Sequence, residues 1–335
     1  MADMNLQVCV ASLPVGYPAE ADFSIEETPI PEPGEGEMLL KTLYLSVDPY
    51  MRGRLNPRKS YAPSLEPGDI MIGRTVAEVI ASNHSEFLVG DIVSSNNGWQ
   101  AYAVSTAQGV SKIDPSLGPV STALGVLGMP GMTAYCGFLE ICKPKAGETV
   151  VVSAASGAVG SLVGQISKIK GCRTVGIAGR DEKINHIVND LGFDEAFNYK
   201  TITDYRAEVK RLCPDGVDGY FDNVGGDITD GVLANMNLWG RIAVCGQISQ
   251  YNLKNPEMGP RIMAQFIGKR LTMRGFLVGD FSDLHATGLK EMSGWIKDGR
   301  LKYREDIVEG LENAPKAFIG MLKGDNVGKR LVKAG

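Results

Sequence analysis

The residues of this chain that most clearly predict chemistry form the segment 154–160, AASGAVG. It fits the dinucleotide fingerprint G-x-G-x-x-G, with Ala155 in the first glycine position. Gly157 would let the backbone approach a pyrophosphate, and Gly160 would let a helix pack close to the sheet. The β-branched run 148–154 precedes this turn, and apolar residues at helical spacing follow it to residue 169. This context favours phosphate binding at the helix N-terminus over the alternative, a tight turn without a ligand.

The residues after the next predicted strand, 173–179, distinguish between the two nicotinamide dinucleotides. Proteins that bind NAD place an Asp or Glu about 20 residues after the turn, where it bonds the ribose 2′-hydroxyl. Residues 178–180 read AGR here, and the first acidic residue, Asp181, opens the next helix. Arg180 and Lys183 could pair with a 2′-phosphate, and the alternative is that both are solvated residues of the first helical turn. The missing carboxylate favours NADP.

Two patterns along the chain predict two different folds. Short β-like runs separated by Gly and Pro turns occupy the first part, at 38–47, 72–82, 91–95 and 101–105. No helical pattern interrupts them, which predicts a compact β domain. From about residue 120, strands alternate with helices, which predicts βαβ units in a doubly wound parallel sheet. Residues 301–335 lose this alternation and are expected to pack on the first domain.

The composition argues against several classes of partner. The chain has 335 residues, with 34 Lys+Arg and 39 Asp+Glu, which gives a formal net charge of −5. An acidic chain with 44% hydrophobic residues is typical of a soluble globular protein and offers no basic surface for nucleic acid or anionic membranes. The uncharged stretch 115–139 could span a bilayer, but three prolines and five glycines interrupt it. With no secretory signal at the N-terminus, the sequence predicts a cytoplasmic protein without membrane or nucleic-acid partners.

Neither the cysteines nor the histidines have the spacing of a metal site. The six cysteines are scattered without a C-x-x-C pair, and the three histidines are far apart in the sequence. Cysteines in a chain of this length are expected to be reduced and mostly buried. The sequence therefore predicts no bound metal.

Several motifs in a fixed order carry a resemblance to a known family, and they are spread over nearly the whole chain. They are LYLSVDPYMRGR (43–54), LGMPGMTAY (127–135), AASGAVG (154–160), GCRTVGIAGRDEK (171–183), FDNVGG (221–226), CGQISQYN (245–252) and MLKGDNVGK (321–329). With these motifs the chain resembles the zinc-independent medium-chain dehydrogenase/reductases. Within them it is similar to the NADPH-dependent alkenal/one double-bond reductases, a group that includes the prostaglandin and leukotriene reductases and the bacterial curcumin reductase.

The resemblance implies a fold and an assembly. It implies a GroES-like β domain over residues 1–122, an NADPH-binding Rossmann domain over 123–298, and a C-terminal segment, 299–335, that returns to the first domain. It also implies a homodimer, formed through an edge strand of the Rossmann sheet such as 270–276. Zinc-dependent relatives carry Gly-His-Glu where this chain reads GRT at 73–75, and their cysteine-rich lobe is absent here, so the resemblance agrees with a metal-free site.

The resemblance also implies most of the contacts to NADPH. Lys183 and Tyr199 would hold the 2′-phosphate, in agreement with the missing acid, and Asn223 would lie along the cofactor. With Arg180 added from the argument above, the candidate cofactor residues are Gly157, Ala158, Val159, Gly160, Arg180, Lys183, Tyr199, Asn223, Cys245, Gly246, Ile248, Ser249, Phe276, Leu277, Val278 and Asn326.

A site without zinc favours conjugate reduction, because ketone reduction loses the Lewis acid that polarises the carbonyl. Hydride goes to the β-carbon of an α,β-unsaturated carbonyl compound, and negative charge collects on the carbonyl oxygen as an enolate. The site then needs hydrogen-bond donors aimed at that oxygen. A tyrosine is suitable, since a neutral phenol donates without ionising.

Four residues are candidates for the substrate side. Tyr251 lies just past the fifth predicted strand, where sites in parallel sheets form, and matches the family's proposed enolate stabiliser. The alternative for Tyr251 is a wall of the cofactor site. Tyr50 would face the substrate from the β domain, or be a core tyrosine. Arg52 would steer an anionic end of the substrate, or form a structural salt bridge. Met129 would line the nicotinamide side, or pack in the core.

Three functions remain as hypotheses at this point. The first is NADPH-dependent reduction of the C=C bond of enals and enones, including curcumin-like compounds. The second is a zinc-free NADPH quinone reductase, and the third is an NADPH-binding structural protein without turnover. The DPYMR and QYN elements favour the first, because they match the substrate-side motifs of the double-bond reductases.

Overall fold

The structure is a computed structural model that describes residues 4–335, so residues 1–3 of the first predicted domain lie outside it. These residues form two compact units. The first unit comprises residues 4–125 together with Glu305–Gly335, and the second unit comprises Val126–Arg304. In neither unit is a described helix long and apolar enough to cross a membrane.

The bounds of the regular elements follow in chain order. The strands are β1 (Met4–Val10), β2 (Phe23–Pro29), β3 (Met38–Ser46), β4 (Thr75–Ser82), β5 (Ile92–Ser95), β6 (Tyr102–Ser105), β7 (Ser111–Lys112), β8 (Thr149–Ser153), β9 (Arg173–Ala178), β10 (Glu195–Asn198), β11 (Val217–Asp222), β12 (Met236–Val244), β13 (Thr272–Gly275), β14 (Glu305–Glu309) and β15 (Lys329–Lys333). The α-helices are α1 (Met51–Arg54), α2 (Met129–Gly137), α3 (Gly160–Ile169), α4 (Asp181–Asn185), α5 (Tyr205–Leu212), α6 (Gly226–Leu233), α7 (Met263–Lys269), α8 (His285–Lys297) and α9 (Ala314–Leu322). Single wider turns, Phe138–Cys142 and His186–Asp190, extend α2 and α4.

The second unit is built on a six-stranded sheet in the order β10-β9-β8-β11-β12-β13, and every neighbouring pair is parallel. All five residues of β8 are buried. Val150 and Val152 belong to one core cluster and Val151 to the other, so helices cover both faces of the sheet. This double cover explains the continuous β-branched run in the sequence. The predicted doubly wound parallel sheet is confirmed.

The first unit contains a mainly antiparallel sheet in the order β14-β15-β3-β4-β5-β7, with β6 also paired to β3. The predicted β domain is confirmed, and its predicted strands correspond to β3, β4, β5 and β6. The expectation that no helix interrupts them is wrong for α1, a single turn too short to give a helical pattern. The hairpin β1–β2 was not predicted, because β2 is mostly exposed and polar.

The C-terminal segment is part of the first unit through β15, which pairs with β3. Lys329 on β15 is 4% exposed, and its ammonium donates to Asp48 Oδ1 at 3.0 Å and to the Val47 carbonyl at 2.9 Å. The hydroxyl of Ser46 donates to the other oxygen of Asp48. Burial lowers the pKa of Lys329, and the Asp48 carboxylate opposes that shift. This ion pair fixes the chain two residues before Tyr50.

Replacing Lys329 by methionine is expected to destabilise the protein, because it leaves the buried Asp48 carboxylate without its cation. Removing one partner of a buried pair costs about 3–5 kcal/mol of unfolding free energy. Lys333→Met is the matched control on the same strand, because the Lys333–Glu309 pair is exposed and should contribute less than about 1 kcal/mol. Urea denaturation of both variants measures the difference. Equal midpoints would show that the buried pair does not stabilise this unit.

Candidate functional site

The predicted phosphate-binding turn joins β8 to α3 in the second unit. Its backbone is tight, since Gly157 N–H donates to the Ala154 carbonyl at 2.9 Å and Ala154 has a left-handed φ of +49°. A Cβ on Gly160 would lie 2.4 Å from the Ala154 carbonyl oxygen, so any other residue would push α3 away from the strand. Left-handed backbone at a non-glycine residue is strained and is concentrated at functional sites. The turn therefore brings the N-terminus of α3 to the carboxyl end of β8.

The residues predicted to hold a 2′-phosphate follow the adjacent strands β9 and β10. Tyr199 comes directly after β10, and its ring packs so closely on Gly179, after β9, that a Cβ there would lie 2.7 Å from the ring. Lys183 in the first turns of α4 is 7% exposed, which is unusual for a charged residue. Arg180 precedes that helix. The structure thus brings Arg180, Lys183 and Tyr199 to the same end of the sheet, together with Gly179.

A hydrogen-bond network joins the ends of β8 and β11. The Asn223 side chain donates to the Ser153 carbonyl at 2.7 Å, and its backbone N–H donates to the Ser153 hydroxyl at 2.9 Å. Asp222, 2% exposed, accepts from the backbone N–H groups of Val224 and Gly225 at 2.9 and 3.0 Å. Hydroxyls from Tyr220 and Thr229 also donate to this carboxylate, at 2.9 and 2.6 Å. Asp222 and Ser153 organise this edge and were not predicted, although Asp222 belongs to the FDNVGG motif.

The loop after β12 is held against the end of β11 by backbone contacts. Cys245 and Gly246 N–H groups both donate to the Asp222 carbonyl, at 2.8 and 3.1 Å. Further along, Ile248 N–H donates to the Asn223 carbonyl at 3.3 Å, and Ser249 hydroxyl donates to the Val224 carbonyl at 2.7 Å. Because these bonds are mainly to the backbone, the loop path depends little on side-chain identity. It places residues 245–251 beside Asn223.

Tyr251 ends this loop and is half-buried. Its phenol oxygen accepts a hydrogen bond from the Gln247 backbone N–H at 3.4 Å, so the ring folds back over the loop. The hydroxyl lies at the same end of the sheet as the turn at 154–160, because all the strands are parallel.

The thiol of Cys245 is not activated. Burial and the neighbouring Asp222 carboxylate raise the pKa of Cys245 to about 12. A thiol with this pKa remains protonated at neutral pH, and only the thiolate is a strong nucleophile. Cys245 packs against the core of the second unit, as a structural residue does.

The last predicted cofactor segment of this unit, 276–278, follows β13. The Phe276 ring packs in the core with Phe221 and Phe281, at centroid distances of 6.2 and 6.0 Å. Leu277 is 47% exposed, and Val278 is half-buried.

The candidate substrate residue Met129 begins α2 and is half-buried, and its carbonyl accepts from the Thr133 hydroxyl at 2.7 Å.

Three predicted residues lie in the first unit. Arg52 is 2% exposed and donates to Asn56 Oδ1 at 2.7 Å and to the carbonyls of Pro14 and Gly16 at 3.1 and 2.9 Å. Its guanidinium therefore anchors α1 to the N-terminal segment. Asn326 precedes β15 and donates to the Gly328 carbonyl at 2.8 Å.

Tyr50 immediately precedes α1 and is half-buried. Burial raises the pKa of Tyr50 above its ordinary value, the Asp48 carboxylate raises it further, and Arg54 and Arg74 oppose the shift. The phenol therefore stays neutral, and able to donate, throughout the neutral range and well into the alkaline range.

The arrangement in the second unit fits an NADP-type dinucleotide. The tight glycine turn, the N-terminus of α3 and the buried Lys183 are the groups that phosphates require. Over residues 4–335, the structure shows no group of three His, Cys, Asp or Glu side chains that could hold a metal ion.

Comparisons with known proteins agree with this geometry. The family model described as the N-terminal domain of oxidoreductase matches residues 7–113, and the one described as zinc-binding dehydrogenase matches residues 158–294. The NADPH-dependent curcumin reductase of Escherichia coli K12 is 44% identical over 334 residues, which cover 98% of this chain and 96% of that relative. The NADP(+)-dependent 2-alkenal reductase of Nicotiana tabacum is 48% identical over 334 residues, covering 98% and 97%. The crystal structure of CurA in complex with NADPH from Vibrio vulnificus has a TM-score of 0.94 and 46% identity, and covers 98% of this chain and 99% of that one.

Proposed function

This chain belongs to the zinc-independent medium-chain dehydrogenase/reductases, among the NADPH-dependent double-bond reductases, and we propose that it reduces the C=C bond of α,β-unsaturated aldehydes and ketones. The observation that carries the proposal is the carboxyl edge of the six-stranded sheet, where the glycine turn, the buried Lys183 and Tyr251 lie together. Relatives that act on an enone and on 2-alkenals share nearly the whole chain, which supports the same substrate class.

We propose the following roles in holding NADPH, which supplies the hydride when bound. The turn at 157–160 and the N-terminus of α3 hold the pyrophosphate, and Arg180, Lys183 and Tyr199 hold the 2′-phosphate. Asn223, the loop at 245–249, the segment 276–278 and Asn326 hold the rest of the dinucleotide. Residues 123–298 are thereby the proposed NADPH domain, and 1–122 with 299–335 the proposed substrate domain.

Two tyrosines are the proposed catalytic groups. The Tyr251 hydroxyl donates a hydrogen bond to the substrate carbonyl oxygen, where negative charge develops, and thereby stabilises the enolate. Tyr50 is the second donor, and its raised pKa keeps it protonated for this role. Met129 is a proposed apolar wall of the substrate site. For Arg52, the three hydrogen bonds to its own chain favour the structural role over substrate steering.

The proposed reaction is tested by measuring NADPH and NADH oxidation with 2-alkenals, an enone such as curcumin, and a benzoquinone. We expect rapid oxidation of NADPH, and little of NADH, with the alkenals or the enone, because cationic residues take the position where NAD-binding proteins carry an acid. Turnover of the quinone alone would instead support the quinone reductase. Oxidation with none of these compounds would contradict both activities and leave a nucleotide-binding protein.

Tyr251→Phe is expected to lower kcat on an enone by roughly 10²-fold, the effect of losing one donor to a developing oxyanion. The affinity for NADPH, measured by fluorescence titration, should change little. Tyr17→Phe is the control, because Tyr17 is 57% exposed and has no proposed role in the site. Full activity of Tyr251→Phe would make Tyr251 a wall of the cofactor site.

We also propose a homodimer formed through β13. This strand is the edge of the six-stranded sheet, and all four of its residues are exposed. Beside it, α7 has no buried residue, and Met263, Ile267 and Trp239 are 67%, 78% and 63% exposed. An open edge strand next to exposed apolar side chains is typical of an interface.

If the protein is a homodimer, light scattering should give a molecular mass of about twice 35.9 kDa. Ile267→Glu, which places a charge in the apolar patch, should shift the mass towards the monomer, while Val15→Glu, at an exposed residue of the first unit, should not. A monomeric wild type would contradict the proposal.

A cytoplasmic location is proposed as well, since all six cysteines are free thiols, and subcellular fractionation tests it.

A further inference from the structure

Tyr50, the proposed second donor, lies on a segment with little regular structure of its own. The helix α1 that follows it is a single turn, in which Gly53 N–H donates to the Tyr50 carbonyl at 3.0 Å and Met51 N–H donates to the Asp48 carbonyl at 3.2 Å. One helical turn is unstable by itself, because its few hydrogen bonds do not offset the entropy lost by its backbone. The position of Tyr50 therefore depends on contacts with other segments of the chain.

Apolar packing supplies part of these contacts. Met51 and Leu55 are fully buried and hold α1 against the core of the first unit. Burial of apolar surface is non-directional, so it stabilises the turn without restricting small rotations and shifts. A single position for Tyr50 requires directional contacts in addition.

The first directional contacts lie two residues before Tyr50. The buried carboxylate of Asp48 pairs with the Lys329 ammonium at 3.0 Å, and this ammonium also donates to the Val47 carbonyl at 2.9 Å. The Val47 N–H donates to the Arg330 carbonyl at 3.3 Å. Side-chain and backbone bonds together fix residues 47–48 to one register of β15.

The second set lies two residues after Tyr50 and is made by Arg52. One terminal nitrogen of its buried guanidinium, Nη2, donates to the carbonyls of Pro14 and Gly16 at 3.1 and 2.9 Å. The other, Nη1, donates to Asn56 Oδ1 at 2.7 Å. The planar guanidinium thus joins the N-terminal segment to both α1 and the residue that follows it closely, an arrangement that a lysine ammonium could not reproduce.

Tyr50 is held between two buried cations, and stability alone would not require them. Burial of a charged side chain costs desolvation free energy, and apolar residues of similar volume often stabilise a protein as well or better. Hydrogen-bonded charges do, however, restrict the chain to one geometry. A donor to a reacting oxygen needs this restriction, because a misplacement of about 1 Å can lower a rate by roughly 10²-fold.

We propose that Arg52 is a positioning residue for the reduction, which acts by fixing Tyr50 from one side while the Asp48–Lys329 pair fixes it from the other. In this role Arg52 contacts neither the substrate nor NADPH. The inference rests on the proposed function, which makes Tyr50 a donor to the developing enolate. It gives Arg52 an effect on the rate of the reaction that is exerted entirely through the Tyr50 hydroxyl.

The test is a double-mutant cycle between Arg52 and Tyr50, measured as kcat on an enone at saturating NADPH. Tyr50→Phe removes the donor and should lower kcat by roughly 10²-fold. Arg52→Met should lower kcat almost as much, and Arg52→Lys by about tenfold, because lysine keeps the charge and loses the fork. In the Tyr50→Phe background both Arg52 variants should lower kcat by less than about twofold, since no hydroxyl is left to misplace.

Asn56→Ala is a milder variant for the same cycle. It removes one acceptor of Arg52 and leaves the guanidinium with its two carbonyl partners. We expect it to lower kcat by about threefold, as the loss of one hydrogen bond would, and to have no effect in the Tyr50→Phe background. This variant decides the question if Arg52→Met does not fold.

Arg241→Lys is the matched control, because Arg241 of the second unit likewise donates to a backbone carbonyl, that of Cys142, and to a side chain, that of Glu148. It should lower the midpoint of urea denaturation and leave kcat unchanged in both backgrounds. A loss of kcat that depends on Tyr50 in this variant too would overturn the specific role of Arg52. The affinity for NADPH, measured by fluorescence titration, should be the same in all variants.

Equal losses of kcat from the Arg52 variants in both backgrounds would show that Arg52 acts on stability only, and would overturn the inference alone. Wild-type kcat in Arg52→Lys and Asn56→Ala would do the same. Full activity of Tyr50→Phe would overturn the donor role of Tyr50 and the inference with it, while the reductase activity would stand. If the wild type reduced no enone, the proposed function would fail as well.

Discussion

All strands of the second unit run in one direction, and this constraint brings residues from six separate segments to one edge of the sheet. Each strand ends there in a turn whose backbone N–H groups need acceptors. Asp222 provides acceptors for four of them. Its carboxylate accepts from two N–H groups of its own turn, and its backbone carbonyl accepts from two N–H groups after β12. Asp222 thus joins the ends of β8, β11 and β12 at this edge.

In the first unit, a buried ion pair fixes the register of a strand. Its sheet is completed by β15, more than 280 residues after the strand with which it pairs. Apolar contacts alone would allow that strand to slip, whereas Lys329 has one position in which its ammonium meets both Asp48 and the Val47 carbonyl. A buried pair of this kind adds little net stability compared with apolar residues, but it makes other registers costly. The segment 48–50 is fixed as a result.

Features that depend on local sequence could be predicted, whereas features that depend on contacts between distant segments could not. The strand β8, the turn at 154–160 and the alternation of strands and helices are encoded in local patterns, so the fold class could be predicted. The burial of Lys183 and the packing of Tyr199 on Gly179 depend on neighbours from other strands, which no local pattern reveals. The same holds for Arg52, whose acceptors at Pro14 and Gly16 precede it by more than 35 residues.

The electrostatics around Tyr50 agree with its proposed role as a hydrogen-bond donor. The charges of Arg54 and Arg74 lower the pKa of this phenol, and a phenolate cannot donate to a developing enolate. Burial and Asp48 outweigh the arginines, so the pKa of Tyr50 is raised and the donor is kept.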